Sequence, residues 1–113
     1  MKFVLTKKDI IALNQEFDKG FLYNESSLDF ALEYARRTAN WTKALAFLVR
    51  AILLDHVFEE ANKRTTALLI KTYVEFERYK TYDDKILKLV KNIILKKISS
   101  IRKIEEMIKD VIR

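Results

Sequence analysis

The sequence contains no cysteine, no proline and a single glycine among its 113 residues. Without cysteine, neither a disulfide framework nor a thiolate metal site is possible. Because proline and glycine normally punctuate a fold, the turns must be marked by Asn, Asp and Ser, and the chain is predicted to be nearly all helical. No apolar run approaches the roughly 18 residues of a membrane span, and the N-terminus turns polar too soon for a signal peptide. We therefore expect one cytoplasmic domain, residues 1–113, with no membrane contact.

Apolar residues recur at spacings of three and four along most of the chain, which predicts a compact all-α bundle of about six helices. The first helix is expected to start at Thr6, with Asp9 favourable in its first turn, and the second at Ser26 or Ser27. Between them, residues 18–25 break the helical pattern. This stretch holds the glycine and a short apolar-aromatic run, and predicts a loop or a small β-hairpin.

The remaining helices lie on both sides of an irregular segment in the middle of the chain. A helix from Asn40 to about Asp55 is hydrophobic nearly all round and is therefore expected to be buried. A second is predicted from Asn62, as its N-cap, to Tyr79. The last two are predicted to begin at Asp83 or Asp84 and after the Ser99–Ser100 pair.

The net charge of +6 is concentrated near the C-terminus, where residues 80–113 carry ten Lys/Arg against five Asp/Glu. Such a region can attract nucleic acid or an acidic partner, but a solvated helix face has the same composition. No helix-turn-helix glycine, RNA-binding aromatic cluster or set of zinc ligands accompanies it. Nucleic-acid binding would rest on charge alone, and we do not expect it.

The most informative segment is residues 56–64, His-Val-Phe-Glu-Glu-Ala-Asn-Lys-Arg. If a helix begins at about Asn62, its free backbone N–H groups form an anion site that the helix dipole reinforces. Lys63 and Arg64 oppose that dipole, so their presence suggests a bound anion. The Lys63 ammonium is a point charge and the Arg64 guanidinium can form two parallel hydrogen bonds, and both groups suit phosphate oxygens.

Three further residues of this segment fit the same chemistry. Glu60 precedes the anion site, where a carboxylate can share Mg²⁺ with nucleotide phosphates. His56 is the one histidine of the chain, and an imidazole can take a proton from an attacking hydroxyl near neutral pH. Phe58 stands between polar neighbours and is predicted to turn inward and anchor the loop. Thr65 is expected to be an ordinary first-turn residue without a role in the chemistry.

Residues 56–64 resemble the signature of the Fic/Doc family, His-x-Phe-x-(Asp/Glu)-(Ala/Gly)-Asn-(Lys/Gly)-Arg, at all seven fixed positions. The resemblance implies a small helical bundle in which the motif loop joins two central helices. It implies that His56 deprotonates a Ser, Thr or Tyr hydroxyl of a target protein and that Glu60 binds Mg²⁺. The phosphate contacts would be Asn62, Lys63 and Arg64. A β-hairpin flap that docks the target would correspond to Phe21, Leu22, Tyr23 and Asn24.

Two positions resemble the Doc branch rather than the AMP-transferring Fic branch. Lys63 stands where AMP-transferring members generally have glycine, and Ala67 stands where they have a second arginine. Similarity to Doc toxins implies transfer of the γ-phosphate of ATP to a threonine of translation elongation factor Tu, which halts protein synthesis. A bulky Lys63 would also crowd the space that glycine leaves for an α-phosphate, while phosphoryl transfer needs mainly positioning and charge neutralisation.

The self-inhibitory motif of the family, (Ser/Thr)-x-x-x-Glu-(Gly/Asn), does not occur in the sequence. The resemblance therefore implies inhibition in trans by a small antitoxin whose C-terminal segment docks in a hydrophobic groove. Two alternatives remain open from the residues. One is AMP transfer to a protein hydroxyl, and the other is a non-catalytic helical binding module with a basic C-terminal region.

Overall fold

The computed structural model describes residues 5–112. This part of the chain contains no strand, which confirms the predicted all-α bundle of six helices. The Cα radius of gyration is 12.6 Å, close to the ~13 Å of a compact domain of this size. No helix in the same range is both long and apolar enough to cross a membrane. The helices are α1 (Lys7–Asn14), α2 (Glu25–Arg37), α3 (Trp41–Leu54), α4 (Asn62–Phe76), α5 (Asp83–Leu95) and α6 (Ile101–Ile112).

Helix α1 starts as predicted, with Thr6 and Asp9 forming a reciprocal capping box. The start of α2 differs from the prediction, because Asn24 caps the helix by accepting a hydrogen bond from the backbone N–H of Ser27. The two helices are also joined by Lys7, which pairs with Glu25 and Asp29 on α2. The hydrogen bond that Lys7 donates to Glu25, followed by the one that it donates to Asp29, raises the pKa of the Lys7 amine.

Helix α3 is the centre of the bundle, as its hydrophobic circumference predicts. It begins after Asn40, whose side chain accepts from the N–H of Thr42, and it packs against α2, α4, α5 and α6. Most of its side chains are therefore buried, and the helix carries the motif segment at its C-terminal end. Its buried apolar residues are Ala44, Leu45, Ala46, Leu48, Val49, Ala51, Ile52 and Leu53.

The β-hairpin predicted near residues 18–25 is not present. The main-chain groups of this segment that a hairpin would pair with one another bond to residues 57 and 59. This stretch pairs with the motif segment instead, through one antiparallel bridge between Leu22 and Phe58. The N–H groups of Tyr23 and Asn24 donate to the Val57 carbonyl at 2.7 and 3.0 Å.

Helices α4 and α5 both end with a cation where glycine is the usual residue. Arg78 and Lys97 follow the helix caps in left-handed conformation, with φ of 68° and 49°. At the end of α5, Ile98 N–H donates to the Ile93 carbonyl and Lys97 N–H to that of Ile94. This is the Schellman pattern, and the same two bonds occur around Arg78.

Candidate active site

Residues 55–61, here called the motif loop, connect α3 to α4. The chain turns twice through left-handed backbone that favours glycine, at His56 with φ of 52° and at Ala61 with φ of 62°. Ala61 is the N-cap of α4, so the prediction that Asn62 caps this helix is wrong. Backbone strain of this kind persists where surrounding contacts enforce it, and such positions cluster at functional sites.

Asn62 fixes the shape of the motif loop. Its Oδ1 accepts a hydrogen bond from Phe58 N–H at 3.0 Å, and its Nδ2 donates to the Phe58 carbonyl at 2.9 Å. The Phe58 ring is 1% exposed and belongs to the core. With its amide occupied, Asn62 can offer an anion its backbone N–H, which the first turn of a helix leaves free.

Hydrogen bonds from the side chains of Asn14 and Thr65 hold the motif loop in place, and no sequence pattern predicts these bonds. Asn14 is fully buried and its Nδ2 donates to the Glu60 carbonyl and to Thr65 Oγ1, both at 3.0 Å. Its Oδ1 accepts from Gly20 N–H at 2.9 Å. Thr65 Oγ1 donates in turn to the Ala61 carbonyl at 2.7 Å. A single buried network therefore joins the end of α1, the glycine turn and the start of α4.

Asn24 secures the other end of the motif loop. Its Nδ2 donates to the Asp55 carbonyl at 2.9 Å, and Ser27 Oγ donates to Asp55 Oδ2 at 2.5 Å. Asn24, which was predicted as a target-docking residue, thus has a structural role through its side chain. The neighbouring Phe21 and Tyr23 are 56% and 74% exposed, whereas Leu22 is half-buried.

An open pocket of about 820 Å³ lies in front of the motif loop, and we call it the motif pocket. It brings together His56, Glu60, Lys63 and Arg64, and all four side chains are exposed. Among residues 5–112 none of the four belongs to an ion pair. The whole lining is Leu53, Leu54, His56, Glu59, Glu60, Ala61, Asn62, Lys63, Arg64, Ile94, Lys97 and Ser99.

Three residues outside the motif also line the motif pocket, and they were not predicted. Ile94, Lys97 and Ser99 lie at the corner between α5 and α6, and we call them the far wall. Arg50 of α3 donates to the Ser99 carbonyl at 3.3 Å and ties the corner to the central helix. Because these residues follow the motif by some thirty positions, tertiary packing brings them to the site, with α5 against α3 and α4 and α6 against α3.

Carboxylates suited to Mg²⁺ are few in the motif pocket. Glu59 and Glu60 line it, and no group of three or more metal-binding side chains occurs in residues 5–112. Mg²⁺ commonly takes one or two carboxylates and completes its octahedron with phosphate oxygens and water. The residues present therefore fit a cation that arrives with a nucleotide, and do not fit a metal held by the protein alone.

Arg64 also borders a second, smaller groove between α4 and α5. Its guanidinium lies 5.4 Å from the centre of the Phe17 ring, a cation–π contact. The groove has a volume of about 260 Å³, and its other sides include Leu68, Ile86 and the largely exposed Leu87. We call it the α4–α5 groove. Ala67 lines this groove and not the motif pocket.

No protein-family model matches the chain, and no curated protein or solved structure matches it either. Assignment of a function therefore depends on the motif residues and on the pocket into which the fold gathers them.

Proposed function

We propose that the chain is a Doc-like toxin that transfers the γ-phosphate of ATP to a hydroxyl of a target protein. The observation that carries this proposal is the motif pocket, which a base, a carboxylate and two cations line without an ion-pair partner among residues 5–112. Side chains that form ion pairs with one another would not be available to bind a phosphate ester.

Each motif residue has a place in this reaction. The N-terminus of α4, Lys63 and Arg64 would bind the phosphate chain, and Glu60 would share Mg²⁺ with it. The imidazole of His56 would accept the proton of the target hydroxyl while the hydroxyl oxygen attacks the γ-phosphorus, and ADP would leave. The bound Mg²⁺ would neutralise phosphate charge.

Lys63 and Ala67 favour γ-phosphate transfer over AMP transfer. Lys63 occupies the first turn of α4 at the motif pocket, where its side chain takes up space that a glycine would leave for an α-phosphate. Ala67 brings no charge, and it faces the α4–α5 groove. The AMP-transferring alternative therefore lacks one of the cations that its branch uses.

The target segment would approach past Phe21 and Tyr23. Both rings are exposed, and main-chain hydrogen bonds hold their segment against residues 57–59 of the motif loop. A hydroxyl carried by a chain that rests on these rings would come close to His56. By the resemblance to Doc, the acceptor would be a threonine of translation elongation factor Tu.

An inhibitory antitoxin segment would suit the α4–α5 groove. The groove is mostly apolar, and it shares Arg64 with the motif pocket. A helical segment with an apolar face could cover Leu87 and Leu68. Its polar side could hold Arg64 away from the phosphates, so that inhibition would act through the same residue as binding.

The test is a transfer assay with purified protein, Mg²⁺, purified elongation factor Tu and a bacterial lysate, with γ- and α-labelled ATP in parallel. Label from the γ-phosphate on the target, and its loss in His56→Asn, would support the proposal. Label from the α-phosphate would make the chain an AMP transferase. Absence of label in all reactions, together with absence of ATP binding, would leave the non-catalytic binding module.

A further inference from the structure

Lys97 is a third cation of the motif pocket, and the motif does not include it. It lines the pocket together with Lys63 and Arg64, which belong to the first turn of α4, whereas Lys97 follows the end of α5. The Lys97 side chain is exposed, and within residues 5–112 it belongs to no ion pair. Two separate elements of the fold thus contribute cations to the pocket.

The position of Lys97 is unfavourable for any residue other than glycine or asparagine. Its φ of 49° lies in the left-handed region, where a Cβ is disfavoured. A Schellman helix end usually takes glycine at this point. The fold therefore holds a lysine in a strained conformation at the edge of the pocket, and such strain often marks a functional position.

Arg78 provides an internal comparison for this lysine. It occupies the same position of the same motif at the end of α4, with φ of 68°. A cation near a helix C-terminus is favourable to the helix dipole in both cases. Only Lys97 of the two lines the motif pocket, so the two positions separate the contribution of the helix end from that of the pocket.

We propose that Lys97 binds the phosphate chain of the nucleotide from the α5–α6 corner, and that the pocket thereby prefers a triphosphate to a monophosphate. This inference rests on the proposed function for the identity of the ligand. Cations from two separate elements can contact different phosphates of a chain that extends away from the N-terminus of α4. A ligand whose single phosphate is bound at that N-terminus would gain little from Lys97.

The test measures binding of ATP, AMP and inorganic tripolyphosphate by titration calorimetry. Lys97→Asn removes the charge and keeps a residue that tolerates left-handed backbone, and Arg78→Asn makes the same change at the control position. Lys97→Arg restores the charge. Thermal melting of each variant shows whether the fold is kept, and we expect the melting temperature of Lys97→Asn not to fall below that of Arg78→Asn.

We expect Lys97→Asn to weaken binding of ATP and of tripolyphosphate by about tenfold, the usual size of a contact between charged groups. AMP affinity should change less, Arg78→Asn should bind like the wild type, and Lys97→Arg should recover most of the affinity. Equal affinities in Lys97→Asn and Arg78→Asn would overturn the inference.

The same titrations separate this inference from the proposed function. If Lys97→Asn weakens tripolyphosphate binding but the wild type transfers no label, the phosphate-binding role of Lys97 is supported and the proposed enzymatic activity is wrong. If the wild type transfers γ-phosphate and Lys97→Asn binds ATP normally, the enzyme stands and the role of Lys97 is wrong. A wild type that binds none of the three ligands overturns both.

Discussion

The motif loop is surrounded by two kinds of side chain. We call the rear those that hydrogen-bond to the loop backbone, and the front those that line the motif pocket. At the rear, the amides of Asn14, Asn24 and Asn62 all hydrogen-bond to main-chain groups of the loop. At the front, His56 and Lys63 face the motif pocket without a hydrogen-bonded or ion-paired partner in residues 5–112. Neutral amides thus hold the backbone in place, while ionisable side chains remain available.

This difference divides the motif into residues that shape the loop and residues that are free to act on a ligand. Asn62 and Phe58 are as much part of the signature as His56, yet their side chains are committed to the fold. Replacing a residue at the rear should therefore change stability first, whereas replacing one at the front should change activity or binding and leave stability alone. Four experiments test this division.

The largest effect is expected from His56→Asn, at the front. Asparagine tolerates the left-handed backbone of this position but cannot accept the proton, so γ-phosphate transfer should fall by about 10² to 10⁴-fold. ATP affinity and the melting temperature should stay close to those of the wild type, because a base acts mainly in the transition state. Steady-state kinetics and calorimetry measure both quantities, and transfer at a wild-type rate would remove His56 from the mechanism.

Asn14→Leu should have the next largest effect, at the rear. It removes the hydrogen bonds to the Glu60 carbonyl, Thr65 Oγ1 and Gly20 N–H, and should lower the free energy of unfolding by about 2 to 3 kcal/mol. Urea denaturation gives this value. Asn92→Leu, at a half-buried position of α5, is the control and should stay within about 0.5 kcal/mol. Similar losses in both variants would show that the network adds nothing specific.

Lys63→Gly tests the front for selectivity. Without the lysine side chain, the space beside the N-terminus of α4 should admit an α-phosphate, so label from α-labelled ATP should appear on the target. Loss of one phosphate contact should also slow γ-phosphate transfer about tenfold. The ratio of the two labels on the target is the measurement. A ratio like that of the wild type would remove the argument for the kinase branch.

The smallest effect comes from a matched pair at the rear, Thr65→Val and Thr66→Val. Both threonines are fully buried, but Thr65 Oγ1 bonds to Ala61 and Asn14, whereas Thr66 Oγ1 has no partner among the described residues. Thr65→Val should cost about 1 to 2 kcal/mol, and Thr66→Val should be neutral or stabilising. Equal unfolding free energies for the two variants would contradict the role of the network.

Much of the fold follows from local patterns in the sequence. The hydrophobic circumference of the third helix predicts its burial, and Thr6, Asn40 and the Ser99–Ser100 pair mark helix starts that the structure confirms. These signals are readable because the cap and the periodic apolar face lie within a few residues of each other. The grouping of His56, Glu60, Lys63 and Arg64 in one pocket likewise follows from their closeness in the chain.

The features that the sequence did not predict depend on specific hydrogen-bonding partners, most of which are distant in the chain. Asn62 is a good N-cap by type, but a hydrogen-bonding partner in Phe58 makes Ala61 the cap instead. Thr65 looks like an ordinary first-turn residue until Asn14, 51 positions earlier, meets its hydroxyl. No local pattern predicts that residues 21–24 pair with residues 57–59 and form no hairpin, since the assembled bundle determines which segments pair.

The residues of the far wall are synthesised after the motif, so the two parts of the motif pocket form one after the other. During synthesis the motif leaves the ribosome well before Ile94, Lys97 and Ser99, and these residues reach their places only when the α5–α6 corner packs against α3. A nascent chain that has completed α4 therefore carries the whole motif but only part of the pocket. The motif pocket is thus complete only after the chain has been elongated past Ser99.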